Sequence, residues 1–204
     1  MRQDETRAIE AGADAVASGW AALRRGAWEQ ARASFARALA VQESAAALEG
    51  LGMAAWWLDE AATTAEARER AYGLYRQADD WRAAARLATW LAWDALSFRG
   101  EPAVANGWLQ RGYRLLDGRD PVPEHGWLLL RDAEIRLLHA HDTQAAKRLA
   151  AQAVTWGRAW ASWTWRWSGW RWRRWRWSAR ARWPRGWVGW TRPRRRPPAG
   201  SLVT

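Results

Sequence analysis

The chain has no cysteine, one lysine, three histidines and no Asp or Glu beyond Asp142. The missing cysteines remove disulfide frameworks, thiolate zinc sites and cysteine nucleophiles together. The single lysine, Lys147, stands in "AAKRLA" without the Gly-rich lead of a phosphate loop, so no ATP site is expected. In "HAHD", His139 and His141 lie two apart at a helix end, where helical spacing points them to different faces; capping, not metal binding, is expected there, and His125 stands alone. The acid pairs Asp59-Glu60 and Asp79-Asp80 fall at turns, which suits capping better than general acid-base work. No Ser-His-Asp order sits in a nucleophile-elbow context. The residues therefore predict no enzyme, no cofactor and no metal. No window approaches the roughly 20 apolar residues of a membrane span, and "MRQDETRAIEAGADAVASGW" lacks the apolar run of a signal peptide, so a cytoplasmic protein is expected.

What is present is divided unevenly. At 204 residues there is room for one ordinary domain. The net charge of +11 would suggest an anionic partner, but its distribution is local. Up to Thr155, 19 Lys and Arg face all 21 acids; from Trp156 onward there are 13 Arg and no acid. The boundary predicted is a domain over 1–155 and a Trp/Arg-rich tail over 156–204.

Within 1–155, Ala, Leu and Arg dominate, with apolar residues three and four apart, as in "WEQARASFARAL" and "RAAARLATWLAWDAL". That is helical periodicity, and no segment shows the period-two alternation of an exposed strand. Breaks are expected at Arg25-Gly26, Leu58-Asp59-Glu60, Ala78-Asp79-Asp80, Arg99-Gly100, Asp117 to Pro123 and His141-Asp142. They imply about eight helices of roughly 12 to 17 residues, joined by short turns as antiparallel neighbours. Self-comparison aligns Gly26, Ala31, Phe35 and Ala38 with Gly100, Ala105, Leu109 and Gly112; the rhythm returns at Ala67, Ala71 and Leu74, and at Ala146, Ala150 and Ala153. The anchors Ala31, Ala67, Ala105 and Ala146 are 36, 38 and 41 apart, a period that belongs to helix-hairpin arrays. Small residues suit the point where two helix axes cross about 8–10 Å apart. The fold predicted is all-α: antiparallel helix hairpins stacked as a short right-handed solenoid with an irregular or disordered tail. Trp56, Trp57, Trp90, Trp93, Trp108 and Trp127 are expected to pack at helix crossings, with a ligand groove as the other possibility.

The trio Ala31, Phe35, Ala38 resembles the second helix of a tetratricopeptide (TPR) repeat, Ala, three residues, Phe, two residues, Ala. The Trp, Leu-Gly and Tyr signature of that repeat's first helix is poorly kept. "EGLGMAAWWLDEA", "ARERAYGLYRQ", "WLAWDALSFRGEPAVANGWLQRGYRLLDG" and "PEHGWLLLRDAEI" are similar to the TPR-like region of large bacterial LuxR-type transcriptional regulators, over roughly Gly19 to Thr155. The resemblance implies a regulatory, partner-binding array. It also places the helix-turn-helix DNA-binding domain far downstream, outside this chain, so no direct DNA binding is expected from 1–155.

The tail poses a separate question, since "WASWTWRWSGWRWRRWRW" puts Trp at nearly every second position from Trp160 to Trp177. Tryptophan's one codon, TGG, is what CTG-G and GTG-G become when a GC-rich gene is read one base late. Regrouping the possible codons of Trp163 to Trp177 one base earlier gives (Val or Leu)-Asp-Leu-Glu-Met-Val-Gly-Leu-Ala-Leu-Glu-Ala-Leu-Ala-Leu, with GC-rich third bases chosen. Trp177 to Pro193 allows Leu-Val-Ser-Glu-Gly-Glu-Val-Ala-Glu-Gly-Met-Gly-Arg-Leu-Asp-Glu-Ala. Both are amphipathic helices, and the second repeats the Gly26, Ala31, Phe35, Ala38 spacing. The expectation is a frameshift near Thr155-Trp156 and a truncated protein-interaction fragment of a LuxR-type regulator, with a protein or peptide partner on the solenoid face. The alternative is a tail that binds nucleic acid or anionic membranes non-specifically, Trp stacking on bases while Arg neutralises phosphate.

Overall fold

A computed structural model of the chain describes residues 2–156, with side chains from residue 7 onward. Apart from Trp156, the expected tail lies outside the described residues. The helical periodicity resolves into α1 (Arg2–Arg25), α2 (Trp28–Val41), α3 (Ala45–Trp57), α4 (Ala61–Gln77), α5 (Trp81–Arg99), α6 (Pro102–Leu116), α7 (Pro123–Leu138) and a further helix, α8, over 143–156. There is no strand among the described residues, so the all-α expectation holds. None of the described helices is long and apolar enough to cross a membrane.

Each of the six expected breaks contains one residue in the left-handed region: Gly26 (φ 76°), Asp59 (62°), Asp79 (54°), Gly100 (64°), Gly118 (65°) and His141 (53°). Such a residue turns the chain away from the helix while its neighbours' N–H groups reach back to the last carbonyls. A seventh turn, at 42–44, lies outside the six expected breaks. It has no Gly, Pro or Asp; Gln42 is extended, and Ser44 caps α3 by accepting from the Ala47 N–H at 3.3 Å. Two helices exceed the expected length, α1 with 24 residues and α5 with 19.

Contacts run in reverse order across the turns. Gly12 faces Val41 and Gly19 faces Phe35, and Gly112 faces Leu128 while Leu116 meets His125. Both pairs, α1 with α2 and α6 with α7, are therefore antiparallel. Every helix from α1 to α6 packs on the next, and α1 also packs on α3 and α5 on α7. Helix α5 is the hub: Leu87 joins Leu48, Ala67 and Ala71 of α3 and α4, while Ala85, Ala92, Ala95 and Leu96 join Ala105, Leu109, Leu128 and Ile135 of α6 and α7. A third cluster, around Phe35, unites α1, α2 and α3.

Candidate interaction site

The positions singled out by self-comparison lie in the packing rather than in one site. Ala31, Phe35, Ala38, Ala67, Ala71, Ala105, Leu109 and Ala146 are buried, as is Gly112. Leu74, Ala150 and Ala153 are half-buried, and Gly26 and Gly100 are exposed left-handed turn residues. Phe35 explains the small residues around it: a Cβ at Gly19 would stand 2.7 Å from its ring, and one at Gly50 2.2 Å. The ring fills the space that two glycines leave where α2 meets α1 and α3.

A charged centre lies under α5, and nothing in the sequence reading anticipated it. Arg68 of α4 and Asp94 of α5 are 1% and 2% exposed, and Arg68 Nη1 donates to both Asp94 oxygens at 2.6 Å. Burial pushes the Asp94 carboxyl up from its ordinary range, opposed first by the Arg68 guanidinium and then by Arg131 and Arg99. The one available signal is the spacing of Arg68, three residues before the crossing residue Ala71 and thus on the same side of α4. Aromatic rings surround the pair. Trp90 lies 5.1 Å from the Arg68 guanidinium, and Arg131 of α7 lies over Trp93 at 4.1 Å. Trp56 neighbours Trp90 and meets Trp57 edge-on; Trp57 stacks on Trp28 at 4.8 Å. These tryptophans are half-buried, so they serve as packing while keeping one face outward; Trp127, by contrast, is exposed.

Among the described residues, an open surface groove of about 600 Å³ lies between α4 and α6, lined by Tyr72, Gly73, Arg76, Arg111 and Arg114. The lining residue Tyr72 meets Trp108 edge-to-face with centroids 5.1 Å apart, and the Arg111 guanidinium lies 4.5 Å from the Trp108 ring. Gly73 opens the floor, since a Cβ there would meet nothing within 4 Å. Among the described residues, none of Arg76, Arg111 and Arg114 is in an ion pair, whereas Arg70, Arg82 and Arg86 each hold a glutamate. Three planar guanidiniums beside a tyrosine suit carboxylates, which take two parallel N–H bonds from one arginine. No family model, curated protein or solved structure matches the chain. The chemistry of its surfaces is thus the guide to its partners.

The other polar residues of interest have local duties. His139 ends α7 with its N–H on the Ile135 carbonyl, and His141 is the left-handed residue after it. His125 Nδ1 accepts from the Val122 N–H at 3.2 Å while Nε2 donates to the Leu116 carbonyl at 3.3 Å, and its ring stacks on Trp156. Asp80 caps α5, accepting from the Ala83 N–H at 2.9 Å. At the other acid pair the structure differs from expectation. Glu60 makes no side-chain cap bond and reaches Arg32 instead, and Asp59 supplies the left-handed turn. No group of three or more His, Cys, Asp or Glu side chains among the described residues could hold a metal ion.

Proposed function

We propose that residues 1–155 are a protein-interaction scaffold, a short right-handed TPR-like solenoid of the kind that forms the regulatory region of LuxR-type transcriptional regulators, working in the cytoplasm without catalysis. The observation that carries this reading is the groove between α4 and α6, with Arg76, Arg111 and Arg114 around Tyr72. The packing of successive hairpins and the 36-, 38- and 41-residue spacing of the crossing alanines favour a repeat array. The groove's charge favours an acidic peptide segment as partner. The test is titration with a labelled Glu/Asp-rich peptide carrying one aromatic residue. Arg111→Ala with Arg114→Ala is expected to weaken binding by about two- to thirtyfold, since each exposed charge pair is worth about 0.2–1 kcal/mol. Equal affinity of the double variant and the unaltered chain would sink the assignment.

A second reading rests on the 13 Arg and no acid from Trp156 onward. On it, the chain binds single-stranded nucleic acid or anionic vesicles through that segment, non-specifically and with steep salt dependence. Residues 1–155 alone would then lose all such affinity. Affinity that stays flat from low to high salt, or that survives removal of 156–204, would rule this reading out.

A further inference from the structure

Arg131 of α7 is held between tryptophans, and its hydrogen bonding is incomplete. Its guanidinium lies 4.1 Å from the Trp93 ring and 5.8 Å from the Trp90 ring, both on α5. The side chain is 14% exposed, so most of its donors are withdrawn from water. Nη1 donates to Glu134, three residues on, but Nε is buried and has no hydrogen-bond partner among the described residues. Two more orphaned donors belong to neighbours of the same Trp90 ring. They are Nη2 of Arg68, whose guanidinium is 5.1 Å from that ring, and Nε1 of Trp56, whose ring is 6.5 Å from it. Buried donors are nearly always paired, because an unpaired one has lost its water and gained nothing in return. On a guanidinium the charge is desolvated as well, which makes the open N–H costlier still.

Glu134 meets only part of this demand. Its side chain is 37% exposed, and burial pushes its carboxyl up from the ordinary range while Arg131 draws it back. Its bond to Nη1 leaves unused the fork of the guanidinium that includes Nε, although an arginine takes a carboxylate best through two parallel N–H bonds. One turn before Arg131, and on the same side of α7, Trp127 is 51% exposed and offers an aromatic surface. We propose that Arg131 anchors a binding site for a small aromatic carboxylate, with Glu134 as the internal stand-in that the ligand's carboxylate displaces. The carboxylate takes two N–H bonds from the fork that includes Nε, and the ligand's ring packs beside Trp93 and Trp127. Beneath them the Arg68–Asp94 pair is a fixed floor, 1% and 2% exposed. The site is separate from the α4–α6 groove and independent of what that groove binds.

The test is calorimetric titration of the full chain with benzoate at constant ionic strength, with acetate as the carboxylate that lacks a ring. Saturable heat is expected with benzoate, and about tenfold weaker binding with acetate, which has no face to set against the tryptophans. Glu134→Gln should tighten benzoate binding by about two- to fivefold, because the half-exposed competitor no longer holds Nη1. Arg131→Lys keeps the charge but removes Nε and the planar fork, and should weaken binding by about tenfold. No saturable heat in either the unaltered chain or Glu134→Gln overturns the proposal, as does an affinity that neither substitution changes. Should Arg131→Lys lose its helical circular dichroism, Trp127→Ala, at an exposed position, decides instead. It should weaken benzoate by about threefold and leave acetate unaltered, and unchanged benzoate binding overturns the proposal. Arg111→Ala with Arg114→Ala should bind benzoate as the unaltered chain does. Loss of benzoate there assigns the heat to the groove and overturns the Arg131 site, so the two sites fail separately.

Discussion

Glycine does opposite work at different positions of this chain. At Gly50 and Gly19 the missing Cβ makes room for the Phe35 ring, which would otherwise be met at 2.2 and 2.7 Å. Gly50→Ala is therefore expected to destabilise by about 1–3 kcal/mol, the usual range for overpacking a filled core. At Gly73, mid-helix in α4, an added Cβ meets nothing within 4 Å. Gly73→Ala should stabilise by about 0.5–1 kcal/mol, because alanine loses less backbone entropy in a helix. Urea unfolding of the two variants checks both signs. A Gly50→Ala protein as stable as the parent would mean that the Phe35 packing is looser than described.

Between elements, the most consequential contact is Arg68 to Asp94, which joins α4 to α5 beneath Trp90. Removing one partner strands the other charge away from water. Asp94→Ala should cost about 3–5 kcal/mol, whereas Arg68→Met combined with Asp94→Leu should recover most of that loss. Denaturant midpoints of the single and paired variants decide it, and a paired variant as unstable as Asp94→Ala would show the charges to be required. Glu49 makes a comparable tie at the edge of the same interface. It accepts from Tyr75 of α4 at 2.8 Å and from Arg86 of α5 at 2.8 and 2.9 Å, so one α3 side chain holds three helices in register. The sequence reading found the helices that carry these residues but none of their pairings. Helical period and caps act over about four residues, whereas Arg68 and Asp94 are 26 apart and meet only after α4 and α5 have packed.

At the scale of the whole molecule, stability should fall in alkali. The Tyr75 and Tyr113 phenols are pushed up from the ordinary tyrosine value, first by burial and then by the carboxylates they donate to, Glu49 and Asp132. A group with a raised folded-state pKa contributes fully below its unfolded value, about 10 for tyrosine, and loses that contribution as the pH climbs toward the folded value. Unfolding midpoints should accordingly drop between about pH 10 and pH 12. Tyr75→Phe with Tyr113→Phe should flatten the drop, and an equally steep fall in the double variant would assign it to other groups.

The helical class and the six left-handed turns were legible in the sequence because both are local: apolar residues recur every three or four positions, and Gly, Asp or His ends each run. The alanines and glycines at recurring positions pointed to close crossings, because only a small side chain leaves two helix axes near one another. Tertiary structure alone decided the rest. The groove exists because α5 brings α4 and α6 alongside it, so that Arg76 and Arg111 share one opening although they are far apart in the chain. The buried Arg68–Asp94 pair, the three-helix tie at Glu49 and the setting of Arg131 over Trp93 have the same origin. Each depends on which side of a helix meets a neighbour, and a helix's period sets that side only relative to itself, leaving the choice of neighbour to the packing of the whole.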